Sequence, residues 1–216
     1  NDISIDDSPI REIYDAINQG KIVVDYVDEQ SFQPNGIDLH LGNFYWQQIR
    51  YRGVIKVDKP PRRIERVYHL HDAAQGDGYL NFEPMGFYLA HSIEFAGSVY
   101  QGNSQPEIVP FFRTRSTKAR WGLTFDLTGM GDIGFHGRWT LEVKNNTINY
   151  FAVPVNWRVG QLIFLRTGAV DLPYQGDYNI GKELWTPEYM LPKDLRYAAA
   201  AYKAEQEAEA LALAGD

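Results

Sequence analysis

Between residues 112 and 165 stand three short motifs whose order can be interpreted chemically: Arg115-Ser-Thr-Lys-Ala-Arg120, Asp132-Ile-Gly-Phe-His-Gly-Arg-Trp-Thr-Leu-Glu142 and Arg158-Val-Gly-Gln-Leu-Ile-Phe164. A fourth motif, Gln33-Pro-Asn-Gly-Ile-Asp-Leu-His-Leu-Gly42, precedes them. The order and spacing of the four motifs, rather than any one of them, carry the information.

The chain around these motifs has the pattern of a β protein. From residue 21 to residue 172, short runs rich in Val, Ile, Phe, Tyr and Trp alternate with clusters of Gly, Pro and Asn. Such runs occupy residues 87–90, 108–112, 140–143 and 161–165. This spacing predicts a mainly β fold, either a mostly antiparallel sandwich or a distorted barrel.

The two ends of the chain have helical patterns. Asp7-Ser8-Pro9, followed by apolar residues at helical spacing and by Gly20, predicts a short helix over about residues 8–19. After Pro192 the composition shifts to Ala, Glu, Lys and Leu, which predicts a helix over about residues 193–213, near Gly215. That helix either lies at an oligomer interface or frays in solvent.

The length favours one domain. A chain of 216 residues that is 44% hydrophobic and 14% aromatic has enough material for one buried core. We therefore predict a single domain over residues 1–216, with a β core over about 21–172 and a flap over about 173–192 between the core and the last helix.

The charge balance restricts the partners. The chain has 21 Lys and Arg against 28 Asp and Glu, a formal charge of -7, which argues against broad contacts with a nucleic acid polymer or an anionic membrane. No run of about 18 apolar residues occurs, and the first residues are acidic rather than signal-like. We expect a cytoplasmic protein, in the host cytoplasm if the chain is viral, without membrane contact.

A small anionic ligand remains compatible with this charge. Four cationic residues, Arg113, Arg115, Lys118 and Arg120, cluster in the first motif. They either bind phosphate or lie solvated at a strand end or loop, and the charges alone leave both open.

The absence of cysteine bears on the chemistry. It excludes disulfides and thiolate metal sites. Zinc sites that are built around a Cys-x-x-Cys pair are therefore excluded as well. His69 and His71 would face one way on a strand, either as a surface pair or as two ligands of a metal that lacks a third in the sequence. We predict no metal held by side chains alone.

Glu142 is the acidic residue of most interest. Strand alternation over residues 138–144 would direct Trp139, Leu141 and Val143 to one face and Thr140 and Glu142 to the other. An acidic residue on a strand is usually solvated. Here, however, a glycine-rich turn with Asp132 precedes it by ten residues.

Together the four motifs resemble the family that holds dCTP deaminases and trimeric dUTPases, and they are most similar to dCTP deaminases over about residues 33–174. The resemblance implies a dUTPase-like fold and a catalytic role for Glu142 as general acid and base. It also implies that Ser116 and Arg120 help to place the attacking water and the charge of the site. In dUTPases, Asp132 would instead activate water against the phosphate chain.

The resemblance further implies a set of substrate contacts. Arg115 and Thr117 face the phosphates, Phe135 lies against the deoxyribose, and the loop with Thr128 and Gly129 approaches the base and sugar. Thr140 is a further substrate-binding residue. On the flap, Tyr174 and Lys182 meet the triphosphate. Gln161 reaches a phosphate or only pairs backbone groups. The loop around Gly129 is one residue shorter than in the family and lacks its proline, and no matching glutamine follows Lys182.

The predicted activity is zinc-independent hydrolytic deamination of dCTP to dUTP and ammonia. A carboxylate suits it, because one group can take a proton from the water that attacks C4 and pass protons to N3 and the leaving amine. The resemblance also implies a homotrimer with sites between subunits, and Mg²⁺ bound through the nucleotide phosphates. Two alternatives remain: a dUTPase or bifunctional enzyme that uses Asp132, and a non-catalytic nucleotide-binding paralogue.

Overall fold

The computed structural model describes residues 9–99, 107–125, 129–168 and 170–214. The predicted capping residues Asp7 and Ser8, the loop residue Thr128 and the C-terminal Gly215 lie outside these residues. The helices in the described part are α1 Pro9–Asn18, α2 Ser116–Ala119 and α3 Lys193–Ala214. The strands are β1 Ile22–Asp25, β2 Phe32–Gln33, β3 Gly36–Gln48, β4 Tyr68–Asp72, β5 Tyr79–Phe82, β6 Phe87–Ser98, β7 Ile108–Thr114, β8 Leu123–Thr124, β9 His136–Asn145, β10 Phe151–Pro154 and β11 Arg158–Arg166.

One antiparallel sheet organises the molecule. Its main path runs β7-β11-β3-β6-β9-β8, with β1 added to β6 and with β2 and β4 added to β3. Strands β5 and β10, which are distant in the sequence, form a separate antiparallel pair. The long strand β3 pairs first with β11 and then with β4 and β6, so it joins the two halves of the barrel. The prediction of a mainly β, barrel-like fold with a helix near each end is confirmed.

The alternating pattern of β9 builds one wall of the core. Leu141 and Val143 are fully buried and Trp139 is nearly so, as the alternation predicted. They pack with residues of β3 and β6 such as Leu41 and Tyr88. Because successive strand residues point to opposite faces, the residues between them lie on the other side of the sheet.

Helix α1 covers one side of the barrel and ends where the sequence predicted. Ile13 and Ala16 are buried, and Tyr14 stacks on Phe32 with ring centroids 4.5 Å apart. Gly20 has a φ of 68°, a left-handed conformation that glycine adopts without steric cost, and its N–H donates to the carbonyl of Ile17.

The segment after β11 returns across the sheet before α3 begins. Met190, Leu191 and Leu195 are buried against residues of β3, β4 and β6. The indole N–H of Trp46 donates to the carbonyl of Pro187 at 2.7 Å. This contact fixes the flap over the outer face of β9. In contrast, Leu211 and Leu213 near the end of α3 are 74% and 81% exposed. No helix among the described residues is long and apolar enough to span a membrane.

Candidate active site

The outer face of β9 supplies the floor of the candidate site. Arg138, Thr140 and Glu142 alternate with the buried core residues and are all partly exposed. Glu142 lies opposite Leu89 of β6, whose side chain is 5% exposed. A carboxylate therefore stands on a strand that is paired with β6, beside an apolar neighbour.

A tight turn leads into this strand and fixes Phe135. The N–H of Phe135 donates to the carbonyl of Asp132, and the N–H of Gly134 donates to the hydroxyl of Ser98 at 2.9 Å. Gly134 has a φ of 90°, and a Cβ there would lie 2.7 Å from the Cβ of Pro173. Only glycine fits this turn without strain, because both the backbone conformation and the space exclude a side chain.

Phe135 joins two other aromatic rings. Its ring makes edge contacts with Trp139, at a centroid distance of 5.1 Å, and with Tyr174, at 5.9 Å. Edge-to-face pairs at these distances are favourable and fix the relative orientation of the rings. The aromatic wall is thus shared between β9 and the flap.

The flap closes the site from above. Its Asn179 accepts a hydrogen bond from the N–H of His136 at 3.0 Å and donates to the carbonyls of Gly134 and Tyr174. The N–H of Tyr174 donates to the carbonyl of Ile133 at 2.7 Å. One asparagine therefore ties the flap to the turn that carries Phe135.

A cavity of about 450 Å³ lies between the floor and the flap. Five of the predicted site residues line it: Asp132, Phe135, Thr140, Glu142 and Tyr174. The remaining wall is largely aromatic or apolar and comes from β4, β6 and the flap, through residues such as Tyr68, Leu89, Trp185, Tyr189 and Met190. Apolar walls with a few polar groups are typical of small-ligand sites.

The predicted residues of the first motif lie elsewhere in the same chain. Ser116 and Thr117 are exposed at the start of α2, and Arg120 is exposed just after it. None of them lines the cavity. Gly129 contributes its carbonyl, which accepts a hydrogen bond from the N–H of Phe112.

Arg115 is engaged inside the chain. Its guanidinium donates to both carboxylate oxygens of Asp38, at 2.6 and 2.7 Å, and Arg158 donates to the same carboxylate at 2.9 Å. Asp38 is completely buried. A charge-assisted pair of this kind joins the first, third and fourth motifs of the sequence.

Two more predicted contacts lie away from the cavity. Gln161 lines a second depression, of about 390 Å³, together with Arg113 and residues of α1. Lys182 pairs with Asp25, with a distance of 2.9 Å between Nζ and Oδ2. The structure thus places one group of predicted residues in the cavity, on β9, the turn before it and the flap. The others lie outside the cavity, around α2, β3 and β11 or, for Lys182, beside β1.

Arg138 lines the cavity, and a neutral histidine lies behind it. His91, opposite Thr140 in β6, has its pKa lowered to about 4, chiefly by burial and to a lesser extent by the positive charge of Arg138. Burial also raises the pKa of the Tyr174 hydroxyl. His91 is therefore an uncharged group at neutral pH and Tyr174 stays protonated.

Potential metal ligands do not cluster in the described part of the chain, where no group of three or more His, Asp or Glu side chains could hold an ion. His71 stacks on Tyr45 and lies 3.2 Å from the amide oxygen of Gln47, whereas His69 is exposed. Two acidic side chains, Asp132 and Glu142, line the cavity.

Sequence reasoning missed two kinds of cavity residue. Arg138 could have been found, because it is four residues before Glu142 and strand alternation places both on one face. The flap residues Trp185 and Tyr189 belong to an irregular segment without periodicity, so no sequence signal placed them there.

Comparison with known proteins places these observations in context. Residues 9–167 match the family model described as dCTP deaminase-like. The chain is 30% identical over 186 residues to the dCTP deaminase of Caldivirga maquilingensis, an alignment that covers 86% of this chain and 94% of that protein. It is 26% identical over 188 residues to the dUMP-forming dCTP deaminase of Persephonella marina, covering 85% and 97% of the two chains.

A solved structure supports the fold. The 2'-deoxycytidine 5'-triphosphate deaminase from Agrobacterium tumefaciens superposes with a TM-score of 0.53 at 19% identity. The match covers 73% of this chain and 47% of that one, so this chain spans about half the length of the solved protein.

Proposed function

Because the chain belongs to the dCTP deaminase-like family, we propose that it catalyses the zinc-independent hydrolytic deamination of dCTP to dUTP and ammonia in the cytoplasm. The observation that carries this proposal is the position of Glu142. It stands on the floor of an aromatic cavity, on strand β9, at the end of the motif that resembles the deaminase motif.

Glu142 serves as both base and acid in the proposed reaction. Its carboxylate takes a proton from the water that attacks C4 of the cytosine ring, and it returns protons to N3 and to the departing amine. The hydroxyl of Thr140, two residues away on the same face, can both donate and accept hydrogen bonds. It is suited to orient the base or the water next to the carboxylate.

The aromatic wall positions the sugar. In the proposed complex Phe135 lies against the deoxyribose, and its contacts with Trp139 and Tyr174 keep the ring from turning away. The flap covers part of the cavity, and the reduced access of water strengthens the electrostatic interactions inside it. In the proposed complex Glu142 holds the attacking water.

We propose that the complete site forms between subunits of a homotrimer. Ser116 and Arg120 are exposed and absent from the cavity of their own chain, so a neighbouring subunit is the available source of these groups. Mixing Glu142→Ala subunits with Arg120→Ala subunits should then restore part of the activity. Verified mixed trimers without any activity would contradict shared sites.

Mg²⁺ fits this site as an ion that arrives with the nucleotide. Proteins commonly bind it through one or two carboxylates together with substrate phosphates, and Asp132 is an exposed carboxylate in the cavity wall. When bound, the ion neutralises part of the charge of the phosphate chain.

A bifunctional reaction is the second candidate. Asp132 and Glu142 line the same cavity, and several curated relatives, including the one from Persephonella marina, are named dUMP-forming. In that reaction Asp132 would activate a second water against the phosphate chain, and pyrophosphate would be released with ammonia. A dUTPase without deaminase activity would release pyrophosphate from dUTP alone.

The test follows ammonia, pyrophosphate and nucleotides together in reactions that contain Mg²⁺ and either dCTP or dUTP. Ammonia from dCTP that disappears in Glu142→Gln would support the deaminase, and pyrophosphate lost selectively in Asp132→Asn would support the second activity. Binding of dCTP without any product would reject catalysis and favour a nucleotide-binding paralogue.

A further inference from the structure

Two of the cations expected to meet phosphates are neutralised within the chain. Arg115 is paired with the buried Asp38, and Lys182 is paired with Asp25. Arg138 differs from both, because it lines the cavity and takes part in none of the ion pairs found among the described residues. The cavity therefore contains a guanidinium without a carboxylate partner in that part of the chain.

The hydrogen bonds of Arg138 use only part of its capacity. Nη1 donates to the carbonyl of Ile93 at 2.7 Å and approaches that of Ser92 at 3.4 Å. Nε is buried and has no hydrogen-bond partner within the described structure. A guanidinium carries five N–H donors in a planar fork, so the two carbonyls do not use all the donors of Arg138.

Aromatic rings hold the guanidinium in place. Its carbon lies 5.3 Å from the ring centroid of Trp185 and 5.7 Å from that of Tyr26. Trp185 belongs to the flap and Tyr26 follows β1, so rings from two different segments contact the charge. Cation–π contacts orient a guanidinium without neutralising its charge.

The distance from Glu142 suits a nucleotide. Arg138 and Glu142 share one face of β9 and are four residues apart, about 13 Å at the rise of an extended strand. This separation is comparable with the distance from a pyrimidine base to its phosphate chain. With the base at Glu142, a phosphate oxygen would come within reach of the arginine side chain.

We propose that Arg138 is the residue of this chain that recognises a phosphate group of the bound nucleotide. The identity of that nucleotide rests on the proposed function, whereas the role of the arginine does not require turnover. Arginine forks match phosphate oxygens in geometry, and their bonds to phosphate are charge-assisted. Specificity for a phosphorylated substrate then comes from the same strand that carries the catalytic carboxylate.

A purely structural role makes a different prediction. The carbonyls of Ser92 and Ile93 lie at the irregularity where the β6–β9 register shifts between His91 and Phe95. If Arg138 only satisfied these carbonyls, its loss would weaken the binding of nucleoside and nucleotide alike. Phosphate recognition weakens the binding of the nucleotide alone.

The test measures binding of dCTP, dUTP and deoxycytidine to Glu142→Gln protein, in which dCTP is not consumed, and to the same protein with Arg138→Met. Trp139 and Trp185 line the cavity, so the change in tryptophan fluorescence reports binding. We expect dCTP to bind roughly tenfold to a hundredfold more weakly to the Arg138→Met variant, because the loss of a hydrogen bond to a charged group usually lowers affinity by this factor. Binding of deoxycytidine should stay unchanged.

Matched variants complete the experiment. Arg50→Met removes an exposed arginine outside the cavity and should change neither affinity. Arg138→Lys keeps the charge but not the fork, and should recover part of the affinity for dCTP. An equal loss of dCTP and deoxycytidine binding, or no loss of either, would overturn the phosphate role, and a urea midpoint for each variant shows that it is folded.

Failure of the proposed function is visible separately. If wild-type protein binds dCTP in an Arg138-dependent manner but releases no ammonia, deamination is rejected and the role of Arg138 stands. If the parent protein binds neither dCTP nor dUTP, both proposals are overturned.

Discussion

Replacing Asp38 with asparagine would test the ion cluster that joins three of the sequence motifs. The carboxylate is fully buried and accepts from Arg115 at 2.6 and 2.7 Å and from Arg158 at 2.9 Å. Asparagine keeps the shape of the side chain but removes its charge. The two guanidinium groups would then lie side by side without a counter-ion.

The expected loss of stability follows from the burial of the three groups. Removing one partner of a buried ion pair usually costs about 3–5 kcal/mol. Here the side chains of Arg115 and Arg158 are 33% and 46% exposed, so water can hydrate both after the change. We therefore expect the lower end, about 3 kcal/mol, which is a large share of the roughly 5–15 kcal/mol that stabilises a typical domain.

Urea unfolding measures this loss. The midpoint should fall while the slope of the transition stays unchanged, because the surface exposed on unfolding is the same. Asp25→Asn is the matched control, since it removes a carboxylate from an exposed pair with Lys182. If Asp38→Asn lowers the urea midpoint no more than Asp25→Asn does, the buried ion cluster does not contribute the expected stability.

Three further predictions concern an ion pair between β3 and β6, the turn before β9 and the flap. The hydrogen bond to Glu94 raises the pKa of His40. The pair should therefore stabilise the fold fully below about pH 6.5, the pKa of a free histidine, and this stabilisation should be lost as the pH rises through the raised pKa. In His40→Gln the urea midpoint should accordingly fall less steeply above about pH 6.5 than in the wild-type protein. Gly134→Ala should cost about 1–2 kcal/mol for the left-handed backbone alone, with a further loss from contact with Pro173, and urea unfolding that shows no change would contradict the turn geometry. Asn179→Ala should free the flap from the turn, which limited proteolysis would detect as faster cleavage between residues 173 and 192, and an unchanged cleavage rate would show that other contacts hold the flap.

The sequence predicted the parts of the molecule whose signal is local. The alternation around Glu142 gave the two faces of β9, and the buried side chains of Trp139 and Leu141 agree with it. The end of α1 followed from Gly20, whose left-handed backbone the structure shows. The family motifs also named five residues that line one cavity, although their catalytic and binding roles stay predictions.

Contacts between distant residues were beyond such reasoning. Arg115 and Lys182 were expected at phosphates, but each has a carboxylate partner far away in the sequence, Asp38 and Asp25. No local sequence pattern predicts an ion pair between residues so far apart in the chain. The wall formed by Trp185 was missed for a related reason, because it depends on how an irregular segment folds back over the sheet.

The position of β3 between β11 and β6 also has a consequence for biosynthesis. Asp38 lies opposite Gln161, so the first half of β3 gains this neighbour only after most of the chain has left the ribosome. Until then its backbone donors and acceptors form an open edge, which is a template for pairing with another nascent chain. Sheets built from such distant pairings also fold slowly, in about milliseconds to seconds. We therefore expect the yield of folded protein to depend on the rate of synthesis and on the supply of chaperones, and not on the stability of the folded barrel alone.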